Sequence, residues 1–169
     1  MRKLIRAAAH TANISALVAM VGVGAFYWKE AEALETARAV SEEERHCLQQ
    51  NIYFEARNQS TLGQVAVAWV TLNRVESDRY PDTICGVVWQ DKQFSWTHDG
   101  KPDGPAANAL EQRAWQDAGL VAEVTLLDWA RDLRSPVEGA THYHADYVRP
   151  YWADSYAEVT RVDNHIFYQ

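Results

Sequence analysis

The sequence predicts a mostly helical α+β domain that ends in a small β-rich part. Hydrophobic residues make up 47% of the 169 residues and include seven tryptophans, which indicates a folded core rather than disorder. Helical spacing of apolar residues recurs between positions 41 and 127. Residues 140–169 are instead rich in Tyr, Trp, His and Val, a composition typical of short strands and loops.

The N-terminal segment differs from the rest in charge and hydropathy. Three basic residues, Arg2, Lys3 and Arg6, precede residues 7–28, which carry no charge and would span roughly 33 Å as a helix. We predict that residues 7–28 cross the inner (cytoplasmic) membrane, with the domain in the periplasm or otherwise outside the cytoplasm. A cleaved signal peptide, a permanent anchor and a weak, Ala/Gly-rich anchor that leaves the membrane all fit this pattern; a buried soluble helix fits it least.

The remainder of the chain is strongly acidic. The whole sequence has a formal charge of −7, and residues 1–29 contribute +4, so that the rest carries −11. Nucleic acid requires a basic patch, and this balance argues against such a partner. We divide the chain into a signal-anchor segment (residues 1–29), an Ala/Glu-rich tether that is helical or flexible (residues 30–40) and one folded domain (residues 41–169).

The first helix of the domain has a clear start and an unusual acid. Ser41 and Glu44 have the spacing of a capping box. Leu48 and Ile52 share one apolar stripe, and Glu55 lies two turns after Leu48, only about 20° away. A carboxyl group at the edge of a buried face loses hydration, which favours its protonated form and suits a general acid. Alternatively, Glu55 is solvated or pairs with a nearby arginine.

The following segments continue the helical pattern. Residues 63–74 are apolar nearly all round, and Thr61 with Gln64 forms a second possible capping box, which predicts a buried central helix ending in Arg74. Residues 93–96 (Gln-Phe-Ser-Trp) alternate like a strand, and residues 108–127 show helical spacing again. Arg74 is either the partner of Glu55 or a charge that suits the end of its own helix.

The two cysteines, Cys47 and Cys85, are the only ones in the chain. In an exported domain such a pair predicts a disulfide, worth roughly 3–4 kcal/mol for this loop length. A zinc site would need further ligands at close spacing, and a catalytic thiol would need an identifiable histidine partner.

Histidines and aromatic residues are concentrated in the last thirty positions. His142, His144 and His165 would suit a three-histidine metal site, although hydrogen-bonded loop histidines or sugar contacts explain them without a metal. Aromatic rings offer apolar faces to sugars or pack in a core. The aromatic residues of this segment are Tyr143, Tyr147, Tyr151, Trp152, Tyr156, Phe167 and Tyr168.

Several motifs together resemble the SleB-type cell-wall hydrolase family, named for spore cortex-lytic enzymes. They include Tyr-Phe-Glu-Ala-Arg around Glu55, Gly-Gln-Val-Ala-Val-Ala from Gly63 and Gly-Ala-Thr-His-Tyr-His up to His144. The matching segments, in chain order, are residues 47–57, 63–68, 72–75, 80–81, 84–88, 93–96, 139–144, 150–152 and 165–168.

The resemblance implies a lysozyme-like lytic transglycosylase fold with Glu55 as the one catalytic acid and base. It also implies cleavage of the peptidoglycan glycan strand between N-acetylmuramic acid and N-acetylglucosamine, with the sugar's C6 hydroxyl closing a 1,6-anhydro ring. No cofactor or metal is expected, and the protein should be a monomer. We expect substrate contacts from polar and aromatic residues in or beside these motifs: Tyr53, Gln59, Gln64, Gln93, Phe94, Trp96, His142, Tyr143, Trp152 and Tyr168.

One departure from the family pattern bears on mechanism. Family members often read Glu-Ala-Arg-Gly-Glu, whereas this chain has Asn58 and Gln59 in the last two places. Gln59 can hydrogen-bond substrate but cannot act as a base. A hydrolase would need a second carboxylate, for which Asp91, Asp99 and Asp103 are the candidates.

The biological role is open between three alternatives. The chain is similar to a phage endolysin that lyses the host after release of a signal-anchor segment. A bacterial cell-wall remodelling hydrolase that uses a second carboxylate is the near alternative. A non-catalytic peptidoglycan-binding module is a third, which Glu55 on the inward face argues against.

Overall fold

The computed structural model describes residues 25–169 of the chain. Most of the predicted membrane segment, residues 7–24, lies outside these residues. Among the helices of the described part, none combines the length and the apolar character needed to cross a membrane.

The described chain begins with a helix, α1 (residues 25–39), that packs on the domain. Ala33 and Ala37 are buried against the domain. Glu30 accepts a hydrogen bond of 2.7 Å from Arg131, and Arg45 Nε donates to the carbonyl oxygen of Val40 at 3.1 Å. The segment that the sequence predicts as a tether is therefore helical and attached over most of its length.

Four further helices form the body. They are α2 (Glu42–Ala56), α3 (Thr61–Val75), α4 (Ile84–Val88) and α5 (Ala109–Ala130). The core lies between α2, α3 and α5, and its largest fully buried aliphatic side chains are Leu48, Ile52, Leu72 and Leu126. Removing each from water stabilises the fold by about 1.5–3 kcal/mol.

The caps of these helices agree with the sequence patterns except at α3. Ser41 Oγ accepts from Glu44 N at 3.2 Å, which is the first half of the predicted capping box, and Asn108 caps α5. The second half does not form, because the Glu44 carboxylate binds the backbone of α4 instead. The prediction for α3 was one residue late: the cap is Ser60, whose Oγ accepts from Gly63 N at 3.2 Å. Ser60 takes this role because it adopts the extended backbone conformation that an N-cap requires, whereas Thr61 is already helical.

The N-terminal end of α2 is fixed to α4 by two kinds of bond. Cys47 and Cys85 form a disulfide, the pairing that the sequence predicts. Glu44 Oε2 accepts hydrogen bonds from the backbone N–H groups of Ile84, at 2.6 Å, and Cys85, at 3.1 Å. The first N–H groups of a helix have no acceptor within that helix, so Glu44 provides the acceptor that α4 itself cannot supply.

Residues 93–96 do not form the predicted strand. Gln93 N donates to the carbonyl oxygen of Gln90 in a turn, and a short 3₁₀ helix, Ser95–His98, follows. Phe94 and Trp96 are both buried, and Trp96 stacks on Phe54 with ring centroids 4.6 Å apart. The alternating pattern therefore arises because the side chains of Phe94 and Trp96 are both buried in the core. No strand of the described chain pairs with this segment.

The C-terminal part is a three-stranded antiparallel sheet, as the composition predicts. Its strands are β1 (His142–Ala145), β2 (Glu158–Val162) and β3 (His165–Tyr168), in the order β1-β3-β2. The last strand is thus the central one. The turn between β2 and β3 reaches the start of α3, where Asp163 Oδ2 accepts from Ser60 N at 2.8 Å.

Candidate active site

Glu55 lies in the last turn of α2 and faces the sheet. Its carboxyl oxygen Oε2 accepts a hydrogen bond of 2.9 Å from the hydroxyl of Tyr143, which β1 supplies. Burial raises the pKa of Glu55, while the Tyr143 hydrogen bond and the charge of Arg74 partly oppose that rise. The sequence prediction of an acid at the edge of the buried face therefore agrees with its position, and its protonated form is favoured.

Two cavities meet at Glu55. Cavity A has a volume of about 350 Å³ and lies between α3, the 3₁₀ turn and β1. Besides Glu55, it is lined by Arg74, Lys92, Gln93, Phe94, Ser95, His142, Tyr143 and Trp152. Cavity B has a volume of about 400 Å³ and lies between the α2–α3 turn and the sheet. Besides Glu55, it is lined by Phe54, Arg57, Asn58, Gln59, Ala145, Tyr147, Asn164 and His165.

Arg74 is the buried cation of cavity A. Its Nε donates to the carbonyl oxygen of Thr141 at 2.7 Å, and its guanidinium carbon lies 5.4 Å from the ring centroid of Tyr80 and 5.5 Å from that of Phe94. When the oxygen and nitrogen of the Gln93 side-chain amide exchange places, the amide oxygen accepts hydrogen bonds from both terminal nitrogens of Arg74, at 3.1 and 3.2 Å. Arg74 thus holds the wall of the cavity and makes its potential positive beside Glu55.

Glu55 is the only carboxylate that lines either cavity within residues 25–169. The three aspartates considered as second acids lie elsewhere. Asp91 pairs with Lys92 at 3.8 Å, Asp99 pairs with Lys101 at 3.1 Å, and Asp103 lines neither cavity. The described site therefore holds one acid and no facing partner for it.

The structure brings together seven of the eleven residues that the sequence singled out for catalysis or substrate contact. Cavity A contains Glu55, Gln93, Phe94, His142, Tyr143 and Trp152, and cavity B contains Gln59.

Four predicted contact residues lie outside both cavities. The hydroxyl of Tyr53 donates to Glu111, and its ring packs on Trp115, so Tyr53 belongs to the core. Gln64 Nε2 donates to the carbonyl oxygen of Gln59 at 3.4 Å. Trp96 is buried against Phe54 and Phe94, and Tyr168 is buried with its hydroxyl on His144. These four side chains are held by aromatic contacts and hydrogen bonds within the protein, and they therefore do not line the cleft.

The three histidines do not share one face of the sheet. His142 and His144 alternate with Tyr143 along β1, whereas His165 pairs with Ala145 and so lies on the Tyr143 side. No group of three or more possible metal ligands occurs among residues 25–169. The three-histidine metal site considered from the sequence is therefore inconsistent with the strand register.

Some cavity residues were not among the sequence predictions. Lys92 and Ser95 line cavity A because residues 93–96 form a turn rather than a strand. Asn164 lines cavity B because the β2–β3 turn packs on the α2–α3 turn, which also places there His165, one of the three histidines that the sequence singled out for metal or sugar contact. No pattern in the single sequence indicates Lys92, Ser95 or Asn164.

Comparison with known proteins identifies the family. The sequence model of the cell wall hydrolase family matches residues 58–168, which is more than half of the chain. The chain therefore belongs to the cell wall hydrolase family. The match begins at Asn58, three residues after Glu55, so the placement of Glu55 between the two cavities is independent of it.

The curated proteins to which the chain is similar include spore cortex-lytic enzymes. The enzyme of Halalkalibacterium halodurans is 31% identical over 141 residues, covering 80% of this chain and 38% of the relative. The enzyme of Bacillus cereus is 31% identical over 117 residues, covering 69% of this chain and 40% of the relative. The chain thus spans about two fifths of the length of these curated relatives.

Two solved structures share the fold. The catalytic domain of the Bacillus cereus SleB protein matches with a TM-score of 0.55 and 27% identity, covering 78% of this chain and 93% of that chain. The catalytic domain of the germination-specific lytic transglycosylase SleB from Bacillus anthracis matches with a TM-score of 0.54 and 26% identity, covering 78% and 98%. The resemblance found in the sequence motifs is confirmed.

Proposed function

We propose that this protein cleaves the glycan strand of peptidoglycan as a muramidase-type lytic transglycosylase, with Glu55 as general acid and base. The single observation that carries the proposal is that Glu55, the only carboxylate that residues 25–169 supply to the two cavities, lies half-buried where they meet. The relationship to lytic transglycosylases supports the same reaction. A glycan crossing from one cavity to the other would place a glycosidic bond beside Glu55.

The proposed reaction needs only Glu55 and the substrate. Protonated Glu55 gives its proton to the oxygen between N-acetylmuramic acid and N-acetylglucosamine, and the bond from that oxygen to C1 of the muramic residue breaks. The Glu55 carboxylate then removes the proton of the C6 hydroxyl of the same residue while its oxygen bonds to C1. The 1,6-anhydro ring closes, Glu55 is protonated again, and no water is consumed.

Tyr143 orients the carboxyl group in this scheme. Its hydroxyl occupies Glu55 Oε2 at 2.9 Å, so that Oε1 is the oxygen left to carry the proton. The burial that raises the pKa of Glu55 favours the form of the side chain that carries this proton. Arg74 acts in the opposite direction, since its charge stabilises the carboxylate formed after proton transfer.

Product mass distinguishes transglycosylation from hydrolysis. Purified sacculi digested with the protein should release muropeptides with anhydro ends, each one water lighter than a hydrolysis product. Mass spectrometry before and after borohydride treatment measures this, because only reducing ends take up hydrogen. Products with exclusively reducing ends would contradict transglycosylation and favour the second candidate, a hydrolase that activates water with another carboxylate.

We further propose that residues 7–28 carry the domain across the inner membrane and that the enzyme serves host cell lysis. The charge-free segment behind a basic flank supports export, as does the disulfide, which forms in oxidising compartments. Replacing Gly22 and Gly24 with Leu should retain the protein in the membrane fraction and delay lysis, because Leu buries more apolar area. Recovery of only a chain shortened near Leu34 would instead identify a cleaved signal peptide.

A further inference from the structure

Cavity B differs from cavity A in that its free polar groups are neutral. Arg57 lies at its edge, but its Nε is 3.3 Å from Glu111 and its guanidinium carbon is 5.1 Å from the ring centroid of Tyr53. Besides Glu55, which borders both cavities, the polar side chains that remain are Asn58, Gln59, Tyr147, Asn164 and His165. Neutral amide and imidazole groups suit a neutral ligand that both donates and accepts hydrogen bonds.

The wall of cavity B is built from two turns that are bonded to each other. Ser60 N donates to Asp163 Oδ2 at 2.8 Å, and Asn164 N donates to Gln59 Oε1 at 3.5 Å. The other end of the same amide, Gln59 Nε2, donates to Asn58 Oδ1 at 3.0 Å. Gln59 therefore connects the α2–α3 turn to the β2–β3 turn, and its amide fixes the wall of the cavity.

His165 is a buried polar side chain for which the protein supplies no partner. Only 8% of it is exposed, and Nδ1 is enclosed without a hydrogen-bond partner. Placing the proton of the neutral ring on Nε2 avoids an enclosed N–H group at Nδ1 that would have no acceptor. Burial lowers the pKa of His165, which agrees with a neutral ring. Because Nδ1 is enclosed, the polar group that the ring presents to cavity B is Nε2–H.

We infer that cavity B binds the acetamido group of a sugar next to the cleaved bond, with His165 Nε2–H donating to the acetamido oxygen. This inference rests on the proposed function and names the substituent by which the site recognises its substrate. The acetamido group is neutral and offers one acceptor and one donor, which matches the histidine and the free side-chain amide of Asn164. Glu55 borders the same cavity, which places this recognition beside the reacting bond.

Binding to two tetrasaccharides tests the inference. The Glu55→Gln variant, which should not cleave sugars, is titrated calorimetrically with N-acetylated chitotetraose and with cellotetraose. These share the β-1,4 backbone, and cellotetraose carries a hydroxyl in place of each acetamido group. We expect tighter binding of chitotetraose, and we expect Glu55→Gln/His165→Ala to lose about tenfold in affinity for chitotetraose while cellotetraose binding is unchanged.

Two further variants separate contact from structural support. Glu55→Gln/His165→Gln keeps a side-chain donor and should recover part of the chitotetraose preference. Glu55→Gln/His46→Ala removes an exposed histidine outside both cavities and should leave both affinities unchanged. Circular dichroism spectra of all variants are compared with that of the wild type to check that each variant is folded.

The possible results have distinct meanings. Equal loss for both sugars in the His165→Ala variant, an unchanged chitotetraose affinity, or the lack of any preference before that substitution would each overturn the inference. Cleavage of sacculi by the wild-type protein is measured separately. Cleavage without acetamido preference refutes the inference alone, whereas failure to cleave sacculi refutes the proposed function.

Discussion

The two ends of α2 each carry a glutamate, and the structure uses the two side chains in opposite ways. Glu44 accepts hydrogen bonds from two backbone N–H groups of α4 and lies one turn from the disulfide at Cys47. Glu55 accepts one hydrogen bond, from Tyr143, and otherwise faces two cavities. The donors around each carboxylate explain the difference: two backbone donors hold Glu44 in a structural bond, whereas one donor and partial burial make Glu55 suited to exchange a proton.

The largest expected difference between these ends is in activity. Glu55→Gln keeps the size of the side chain and removes its titrating proton, so the release of muropeptides from sacculi should fall at least about 100-fold with an unchanged circular dichroism spectrum. The matched variant Glu44→Gln should keep its activity per folded molecule and lose about 1–2 kcal/mol of unfolding free energy in urea titrations. Comparable losses of activity in Glu55→Gln and Glu44→Gln would contradict the distinction between a catalytic and a structural glutamate.

Stability should depend on the anchored end. Replacing Cys47 and Cys85 together with Ala should lower the free energy of unfolding by about 2–4 kcal/mol, because the unfolded chain is no longer constrained. Denaturant titration measures this, and the single Cys85→Ala variant should lose a similar amount. Below the unfolding transition, the double variant should release the same products at a similar rate. A changed product pattern would show that the anchored end also shapes the site.

The smallest expected effect is a pH-dependent gain of stability on removing Glu55. Burial raises the pKa of Glu55 in the folded state, so this residue's contribution to stability is complete below the unfolded-state pKa of about 4.3 and is lost as pH rises through the raised pKa. Glu55→Gln should therefore melt at a higher temperature than the wild type at neutral pH and at the same temperature near pH 4. An advantage that persists at low pH would mean that burial of the charge is not its cause.

Local patterns predicted the elements whose signals lie close together in sequence. The Ser41 cap follows from its spacing to Glu44, and the inward edge position of Glu55 follows from helical periodicity. The Cys47–Cys85 pair follows from there being two cysteines in a domain expected to be exported. The mostly helical class with a small terminal sheet was likewise predicted from composition and is confirmed. These features depend on neighbours within a turn or two, or on a count.

Features that depend on distant packing were not predicted. Trp96 has the residue type of a sugar platform, but the ring of Phe54 is stacked on it in the core. Nothing near His165 indicates that it meets the α2–α3 turn, because the bond that brings them together joins Ser60 to Asp163. Phe54 and Trp96 are 42 positions apart and Ser60 and Asp163 are 103 apart, and the single sequence holds no signal for such contacts.

The strand order has a consequence for the order in which the site is assembled. Glu55 belongs to the first helix of the domain, but Tyr143 and His165 depend on a sheet whose central strand, β3, comes last in the chain. During synthesis from the N-terminus, the acid emerges more than a hundred residues before the strand that completes its surroundings. In the unfinished chain Glu55 therefore lacks the sheet it faces, and the site proposed for catalysis is complete only when the final strand is inserted between its two neighbours.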